Sequence, residues 1–201
     1  MKHRYGTLSR EVAAEAAVEL GFQGLTLTAV AERLGVTAAA LYYHVADRND
    51  LFRAAIDRVA ASDLEPIGPI DDVAVFVRAE ATRLFELFAK YPGLTAALRS
   101  LDLPPESFGM RVAEAHRALT DHGMAPERAF LTLAVMYSHA LETATWLTSP
   151  DMVSLAQASG GLVADRREDG FVRLMATFAA SPPEDTFQQM LDILIHGVDS
   201  G

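Results

Sequence analysis

The sequence predicts an all-α protein with two domains. Apolar residues recur at helical spacing along most of its 201 residues, and no stretch alternates apolar and polar residues as a half-buried strand does. The composition, 50% hydrophobic and 22% charged, is typical of a globular chain that buries a sizeable core. Pro66, Gly68 and Pro69 interrupt the helical pattern, which predicts a boundary between one domain at residues 1–64 and a second at residues 70–201.

The composition and the short sequence motifs argue against several classes of function. The chain has no cysteine, which excludes disulfides, cysteine metal sites and thiol nucleophiles. No GxSxG, Walker loop, GxGxxG or HExxH pattern occurs, so we expect no catalytic site, no cofactor and no bound metal. The N-terminus does not resemble a signal peptide, and the most apolar stretch, residues 129–147, carries His139 and Glu142 near its middle. We therefore expect a cytoplasmic protein with no membrane partner.

The net charge of −10 is distributed unevenly along the chain. Residues 1–60 contain seven Lys or Arg and seven Asp or Glu, so the whole acidic excess lies after residue 60. Lys2, Arg4 and Arg10 crowd the first ten positions. Because local charge controls contact with phosphates, the N-terminal domain remains compatible with nucleic acid despite the acidic total.

Four helices are predicted in the N-terminal domain. The first can end at Gly21, and one of its faces is apolar. That face consists of Val12, Ala13, Ala16, Ala17 and Leu20. A second short helix, TAVAERL, can be capped by Thr26 or Thr28, and a third, AAALYYHV, by Thr37. A linking helix follows over residues 51–64, where the apolar pattern resumes.

The second and third helices have the features of a helix-turn-helix. Gly35 supplies the turn between them, and the small side chain of Ala31 lets the two helices approach each other. The shared apolar seam consists of Val30, Leu34, Val36 and Leu41. Such a unit is typical of DNA-binding proteins, although similar three-helix units also serve as protein-interaction modules.

The string GFQGLTLTAVAERLGVTAAALYYHVADRNDL closely resembles the DNA-binding segment of TetR-family repressors. The resemblance includes the Gly-Phe that ends the first helix, the Leu-Gly-Val turn and the Leu-Tyr-x-His-Val of the third helix, and it covers about residues 8–60. It implies that the third helix enters the major groove of DNA, while the starts of the second helix and of the linking helix contact the phosphate backbone.

The resemblance also assigns contacts by position. It implies that Thr26 and Thr28 contact phosphates or base edges and that Tyr42, His44 and Arg48 contact phosphates. The residues that face the bases or their rims are Thr37, Ala38, Ala39, Ala40 and Tyr43. Since alanine cannot hydrogen-bond a base edge, we expect recognition by methyl contacts, by the threonine and tyrosine side chains and by DNA shape.

Several of these residues also have plainer interpretations. Thr37 can be only a helix cap, Tyr43 can pack internally, and Arg48 can be a solvated charge. Ahead of the first helix, residues 2–4 (Lys2, His3 and Arg4) form a basic arm that can enter the adjacent minor groove or remain a disordered solubilising tail.

The second domain is predicted to be a helical bundle. Its helices are expected near residues 70–90, 93–101, 105–122, 126–148, 166–180 and 184–198, with a loop or irregular helix over residues 148–161. The resemblance implies that this bundle encloses an effector pocket and forms the interface of a homodimer. The apolar stripe of the last helix is too broad to face one neighbour, so we expect the helices at 126–148 and 184–198 to form a four-helix contact about a two-fold axis.

Candidate ligand-binding residues lie on the long helices of the second domain. They are Phe85, Phe88, Met136, Tyr137, His139, Glu142 and Trp146. Aromatic and methionine side chains at helical spacing are also what a plain core requires. His139 and Glu142 share a helix face and can orient a polar ligand group, but two ligands make an incomplete metal site, which favours a hydrogen-bonded core or interface pair.

These observations predict a ligand-responsive DNA-binding transcriptional regulator. We expect a homodimer that represses from a palindromic operator of double-stranded DNA and is released by a small, largely apolar effector. Two alternatives from other classes are a helical protein-interaction adaptor whose helix-turn-helix is not used on DNA, and a hydrolase-like enzyme with an unrecognised site.

Overall fold

The computed structural model describes residues 7–147 and 181–199 of the chain, and these contain α-helices and no β-strand. In chain order, α1 is Arg10–Leu20, α2 is Leu27–Leu34, α3 is Ala38–Tyr42, α4 is Arg48–Asp63, α5 is Val73–Lys90, α6 is Leu94–Arg99, α7 is Glu106–Asp121, α8 is Pro126–Leu147 and α9 is Pro183–Asp199. The predicted all-α fold is confirmed. The expected helix at 166–180, the irregular segment at 148–161 and the basic arm at 2–4 lie outside the described residues.

The chain divides into two compact units. The first comprises the described residues of Met1–Ile70 and Lys90–Ala129, and the second those of Asp71–Ala89 and Phe130–Gly201. The first unit therefore holds α6 and α7 together with α1–α4, and the second unit is built on α5, α8 and α9. The predicted division into residues 1–64 and 70–201 stays a prediction.

Side-chain caps start the four N-terminal helices. Ser9 Oγ accepts a hydrogen bond from the backbone N–H of Val12 at the start of α1. Thr26 Oγ1 does the same at the start of α2, so Thr26 and not Thr28 is the cap. Asp47 caps α4, which consequently begins three residues before the predicted linking helix.

The third helix is shorter than predicted. It ends at Tyr42, and the expected helical residues Tyr43 and His44 form a turn whose backbone N–H groups bond to the carbonyls of Ala40 and Leu41, three residues back. This tighter geometry is a common way for a helix to end.

The core of the first unit is the contact between α1 and α4. Leu51, Phe52, Ile56 and Val59 are all at most 1% exposed. The α1 residues that are also buried are Ala13, Ala14, Ala16 and Ala17. Because alanine side chains are small, α1 and α4 can approach closely, and the large side chains of α4 fill the space.

A second close contact in this unit joins the turn before α6 to the turn after α1. Gly93 has φ +86°, and a Cβ atom built on it would lie 2.7 Å from the backbone nitrogen of Gln23. Beside it, the Tyr91 ring meets the Phe22 ring edge-on at 6.3 Å, and Phe22 in turn stacks on Phe52 at 6.4 Å. The backbone approach therefore requires glycine at position 93.

The second unit buries an apolar core between α5, α8 and α9, the helices that the structure describes in it. Side chains that are at most 3% exposed there include Val77, Leu84, Phe85, Met136, Phe187 and Leu191. Around this core, Arg78 of α5 donates hydrogen bonds to Gln188 at 3.2 Å and Asp192 at 2.6 Å, both on α9, and Gln188 donates to Thr82 at 3.0 Å. Among the described residues, no helix combines the length and hydropathy needed to cross a bilayer.

Gly93→Ala should lower the free energy of unfolding by about 3 kcal/mol or more, because the left-handed backbone and the contact with Gln23 are both incompatible with a methyl group. Gly24→Ala is the matched control. Gly24 has φ +72° but nothing within 4 Å of the added atom, so only the backbone term, about 1 kcal/mol, should appear. Urea denaturation followed by circular dichroism measures both, and equal losses would contradict the close approach.

Candidate functional site

The ten residues assigned to DNA by position all lie in the first unit, at the starts of α2 and α4 and along α3. Nine of them are exposed, and Ala40 is half-buried. Tyr42 is 54% and Tyr43 89% exposed, so Tyr43 does not pack internally. Leu41 of α3 and Val45 after it are buried, so that Ala38, Ala39 and Tyr42 face outward. We call this exposed set the reading surface.

The helix-turn-helix that presents the reading surface is built as the sequence predicts. Gly35 has the left-handed φ of 69° and ψ of 30°, and the backbone N–H of Val36 bonds to the Ala31 carbonyl at 3.0 Å. Val30, Ala31 and Leu34 are buried against the rest of the unit. Thr37 Oγ1 accepts from the backbone N–H of Ala40 at 3.1 Å, so Thr37 is a cap as well as a surface residue.

Arg48 is held in place by the domain itself. Its Nε donates to the Leu25 carbonyl at 3.2 Å, and its guanidinium carbon lies 4.4 Å from the centre of the Phe52 ring. The residue is nevertheless exposed, and the terminal nitrogens of its guanidinium are not used by this bond. Arg48 is therefore neither freely solvated nor consumed by internal contacts, and its charge is fixed at the start of α4.

Two residues that the sequence analysis did not single out hold the start of α4. Asp50 Oδ1 accepts from Arg10 Nε at 3.1 Å and Arg10 Nη2 at 2.8 Å, and Asp50 Oδ2 accepts from the backbone N–H of Ala46 at 3.0 Å. Asp47 completes the arrangement by accepting from the Asp50 N–H at 2.7 Å. Burial alone would raise the pKa of Asp50, but the hydrogen bonds from Arg10 and Ala46 outweigh burial and hold the pKa below its usual value.

The sequence could have predicted the bond between Asp47 and Asp50 but not the one between Arg10 and Asp50. The Asp47-x-x-Asp50 spacing is that of a capping box and could have been recognised. Arg10 lies 40 residues away on α1, and nothing in its local pattern marks Asp50 as its partner.

The reading surface combines apolar and phosphate-binding chemistry. The exposed methyl groups of Ala38 and Ala39 can contact thymine methyls, while the phenol groups of Tyr42 and Tyr43 can hydrogen-bond at the rim. His44 and Arg48 add donors suited to phosphate oxygens. The geometry therefore fits a nucleic-acid duplex with few direct hydrogen bonds to bases.

The candidate ligand-binding residues are all in the second unit, but the structure brings only some of them together. Phe85, Phe88 and Met136 are buried, and Tyr137 and His139 are half-buried. Glu142 and Trp146 are exposed, the latter by 47%, so they do not share an enclosed space with the buried candidates.

A column of three rings joins the helices of this unit. Phe85 of α5 stacks on Phe187 of α9 with ring centres 4.3 Å apart, and His139 of α8 stacks on Phe187 at 5.0 Å. His139 Nε2 lies 3.4 Å from the Phe187 carbonyl and Nδ1 3.1 Å from Thr143 Oγ1. The carbonyl can only accept, so Nε2 carries a proton and Nδ1 accepts from the threonine hydroxyl. Burial lowers the pKa of His139, which favours this neutral form.

A buried carboxyl group on α5, the helix that carries Phe85, was missed by the sequence analysis. Glu80 is fully buried on α5, and Tyr137 donates to its Oε1 at 3.3 Å. A separate apolar groove of about 230 Å³ is lined by Val77, Leu131, Thr132, Val135, Met136 and Leu194. Within the described residues, no group of three or more His, Asp or Glu is placed to hold a metal ion.

Comparison with known proteins agrees with these features. Residues 10–55 match the family model described as bacterial regulatory proteins, tetR family. Apo ActR from Streptomyces coelicolor has a similar structure, with a TM-score of 0.80, 20% identity and coverage of 98% of this chain and 97% of that one. None of the curated proteins matches the chain.

Two further solved structures contain ligands. ActR in complex with (S)-DNPA gives a TM-score of 0.80 at 21% identity, covering 98% of this chain and 99% of that one. A TetR variant from Acinetobacter baumannii AYE, in complex with minocycline, gives 0.69 at 24% identity, covering 96% and 98%. At these identities the likeness is one of fold.

Asp50→Asn should destabilise the protein at pH 7 by about 1 kcal/mol, because the charge-assisted bonds from Arg10 are weakened. The folded-state pKa of Asp50 lies below the usual value of 3.8, so its contribution is complete above that pH and is lost as the pH falls through the folded pKa. The difference from the natural protein should thus shrink below about pH 4. Urea titrations between pH 3 and 7, with exposed Asp121→Asn as control, check this, and a constant difference would refute it.

Proposed function

We propose that the chain is a member of the tetR family of bacterial regulatory proteins, because residues 10–55 match that family's model and its fold is similar to that of ActR. In this proposal it is a transcriptional repressor that binds a palindromic operator as a homodimer and is released by a small, largely apolar effector. In this proposal residues 1–64 bind DNA and residues 70–201 bind the effector and form the dimer. Binding to an operator would place the protein in the bacterial cytoplasm. The observation that carries the proposal is the reading surface, in which the nine exposed residues include Tyr42, Tyr43 and Arg48.

Exposed apolar side chains on α8 and α9 support the homodimer. Phe130 and Leu131 of α8 are 62% and 61% exposed, and Ile193 of α9 is 75% exposed. Val135, Trp146 and Met190 extend the same two helices with further exposed apolar area. Large apolar side chains at this density favour burial against a second copy, and two helices from each copy would make a four-helix contact.

The composition of the second unit supports an apolar effector with few polar groups. Among the described residues its core is almost entirely aliphatic and aromatic. The buried Glu80, which accepts from the Tyr137 hydroxyl at 3.3 Å and lies 3.6 Å from Arg83, is one of its few polar groups, as in pockets where few polar groups orient a ligand. The structures of ActR with (S)-DNPA and of a TetR variant with minocycline are of proteins with this fold that bind small molecules. Apolar compounds that quench the fluorescence of Trp146, the single tryptophan, and release the operator would identify the class.

Arg48→Ala should weaken binding to operator and random duplex alike, and the slope of log K against log salt should fall by about one ion, because one phosphate contact is lost. Arg58→Ala is the control on the same helix, since Arg58 is exposed and paired with Glu15 at 3.4 Å. It should leave the slope unchanged. Binding titrations over a salt series measure both, with circular dichroism to verify folding. An unchanged slope for Arg48→Ala would remove its proposed role.

The proposed function as a whole is tested by selecting duplexes from a random library with the purified protein. The selected sequences should be palindromic, with half-site centres about one helical turn apart or a little more, because two symmetry-related α3 helices must enter successive major grooves. Ile193→Asp should yield monomers and lose operator affinity by at least about tenfold, while exposed Gln189→Asp on the same helix should not. A footprint without dyad symmetry, or full affinity from a monomer in sedimentation, would reject the proposal.

A further inference from the structure

Helix α7 lacks a capping side chain of its own. Its N-cap is Pro105, which makes no side-chain hydrogen bond to the first turn. The acceptor comes instead from α4, where Asp57 Oδ1 receives the Ser107 N–H at 3.0 Å and the Ser107 hydroxyl at 2.6 Å. A carboxylate at a helix N-terminus satisfies an otherwise unpaired donor and interacts favourably with the helix dipole.

A second contact joins α7 to the segment that follows the end of α4. Arg111 of α7 is 5% exposed, and its Nη1 donates at 2.8 Å to the carbonyl of Glu65, two residues after the end of α4. A cation at a helix C-terminus is favourable for the same electrostatic reason. We call Asp57, Ser107, Glu65 and Arg111 the α4–α7 joint.

The end of α4 makes further side-chain hydrogen bonds within the first unit. Asp63 Oδ2 accepts from Lys90 Nζ at 2.6 Å and from the Tyr91 hydroxyl at 3.0 Å. Tyr91 is the residue whose ring meets Phe22. Helix α4 is thus bonded along its second half to residues at and after the end of α5 and to α7, in addition to its packing on α1.

From these contacts we propose that the DNA-reading part of the protein does not end with α4: α6 and α7 belong to it, and Asp57 is a positioning residue that fixes the reading surface through the α4–α7 joint and thereby sets operator selectivity. The inference rests on the proposed function. The DNA-reading part inferred in this way extends beyond the predicted boundary at residue 64, because residues 90–129 and residues 1–70 form one compact unit.

The physical reason concerns the geometry of a palindromic site. Both halves of an operator are read at once only if the two reading surfaces keep a fixed separation, and a loosely held surface must be ordered on binding. Random DNA requires no such separation, since its binding depends mainly on phosphate charge. Loosening the joint should therefore lower operator affinity and leave random-duplex affinity nearly unchanged.

The test compares operator and random duplex, using the sequence selected by the natural protein as the operator. Asp57→Ala should lower operator affinity about tenfold, or about 1.4 kcal/mol, with random-duplex affinity within about twofold and the salt slope unchanged. Asp57→Asn, which keeps an acceptor for Ser107, should recover most of the loss. Glu15→Ala is the control, because its pair with Arg58 joins α4 to α1 and not to α7.

A cross-link tests the joint itself. The chain has no cysteine, so Asp57→Cys combined with Ser107→Cys introduces a single pair. Unlinked, this protein should show the loss of operator affinity, and closing the pair with a short thiol–thiol linker should restore affinity to within about threefold of the natural protein. Linked and unlinked samples share one sequence, so the comparison holds even if Asp57→Ala fails to fold.

The outcomes separate the inference from the proposed function. If the natural protein selects no palindromic duplex, the proposed function fails. If it does, but Asp57→Ala lowers both affinities equally or neither, or the cross-link restores nothing, the joint is only structural and the inference is wrong.

Discussion

The buried face of α4 is the constraint on which the first unit depends. Its four large apolar residues, Leu51, Phe52, Ile56 and Val59, lie against an alanine-rich face of α1, and burial of each contributes roughly 1.5–3 kcal/mol. A larger side chain at the buried alanines of α1 would oppose this close approach. Because Phe52 also carries the stacked Phe22 ring and the Arg48 guanidinium, one packing interface orders the core, the turn after α1 and a charge of the reading surface.

The two halves of α4 carry different chemistry. Its first turn is fixed by Arg10 and Asp50 and presents Arg48, while its second half supplies Asp57 as an acceptor to α7. A helix transmits a displacement along its axis because its backbone hydrogen bonds resist bending. A helix held at one end by α1 and at the other by α7 therefore has little freedom to tilt alone, and any rearrangement must involve its partners as well.

Local signals explain which parts of this structure the sequence could predict. Helix positions followed from apolar periodicity, from Gly35 and from the threonine caps, all of which act within a few residues. The reading surface followed from the resemblance of residues 8–60, and its residues remain assigned by position. The bonds from Arg10 to Asp50 and from Ser107 to Asp57 join residues 40 and 50 positions apart, and no local pattern marks such pairs. For the same reason the contact of His139 with Phe187 was missed, because Phe187 is on another helix.

The composition of α3 makes the position of the reading surface more important than its chemistry. Ala38, Ala39 and Ala40 offer no hydrogen bond to a base, whereas a bidentate contact elsewhere supplies about 1–3 kcal/mol of discrimination. In the proposed function, selectivity then comes from methyl contacts, from the shape of the groove and from the spacing of phosphate contacts, each of which is lost by small displacements. With so few directional bonds to the bases, the contacts with DNA do little to fix the position of α3 in the groove. In the proposed function the protein itself must supply the rigidity, and the bonds that fix α4 at both ends are the contacts that we propose supply it.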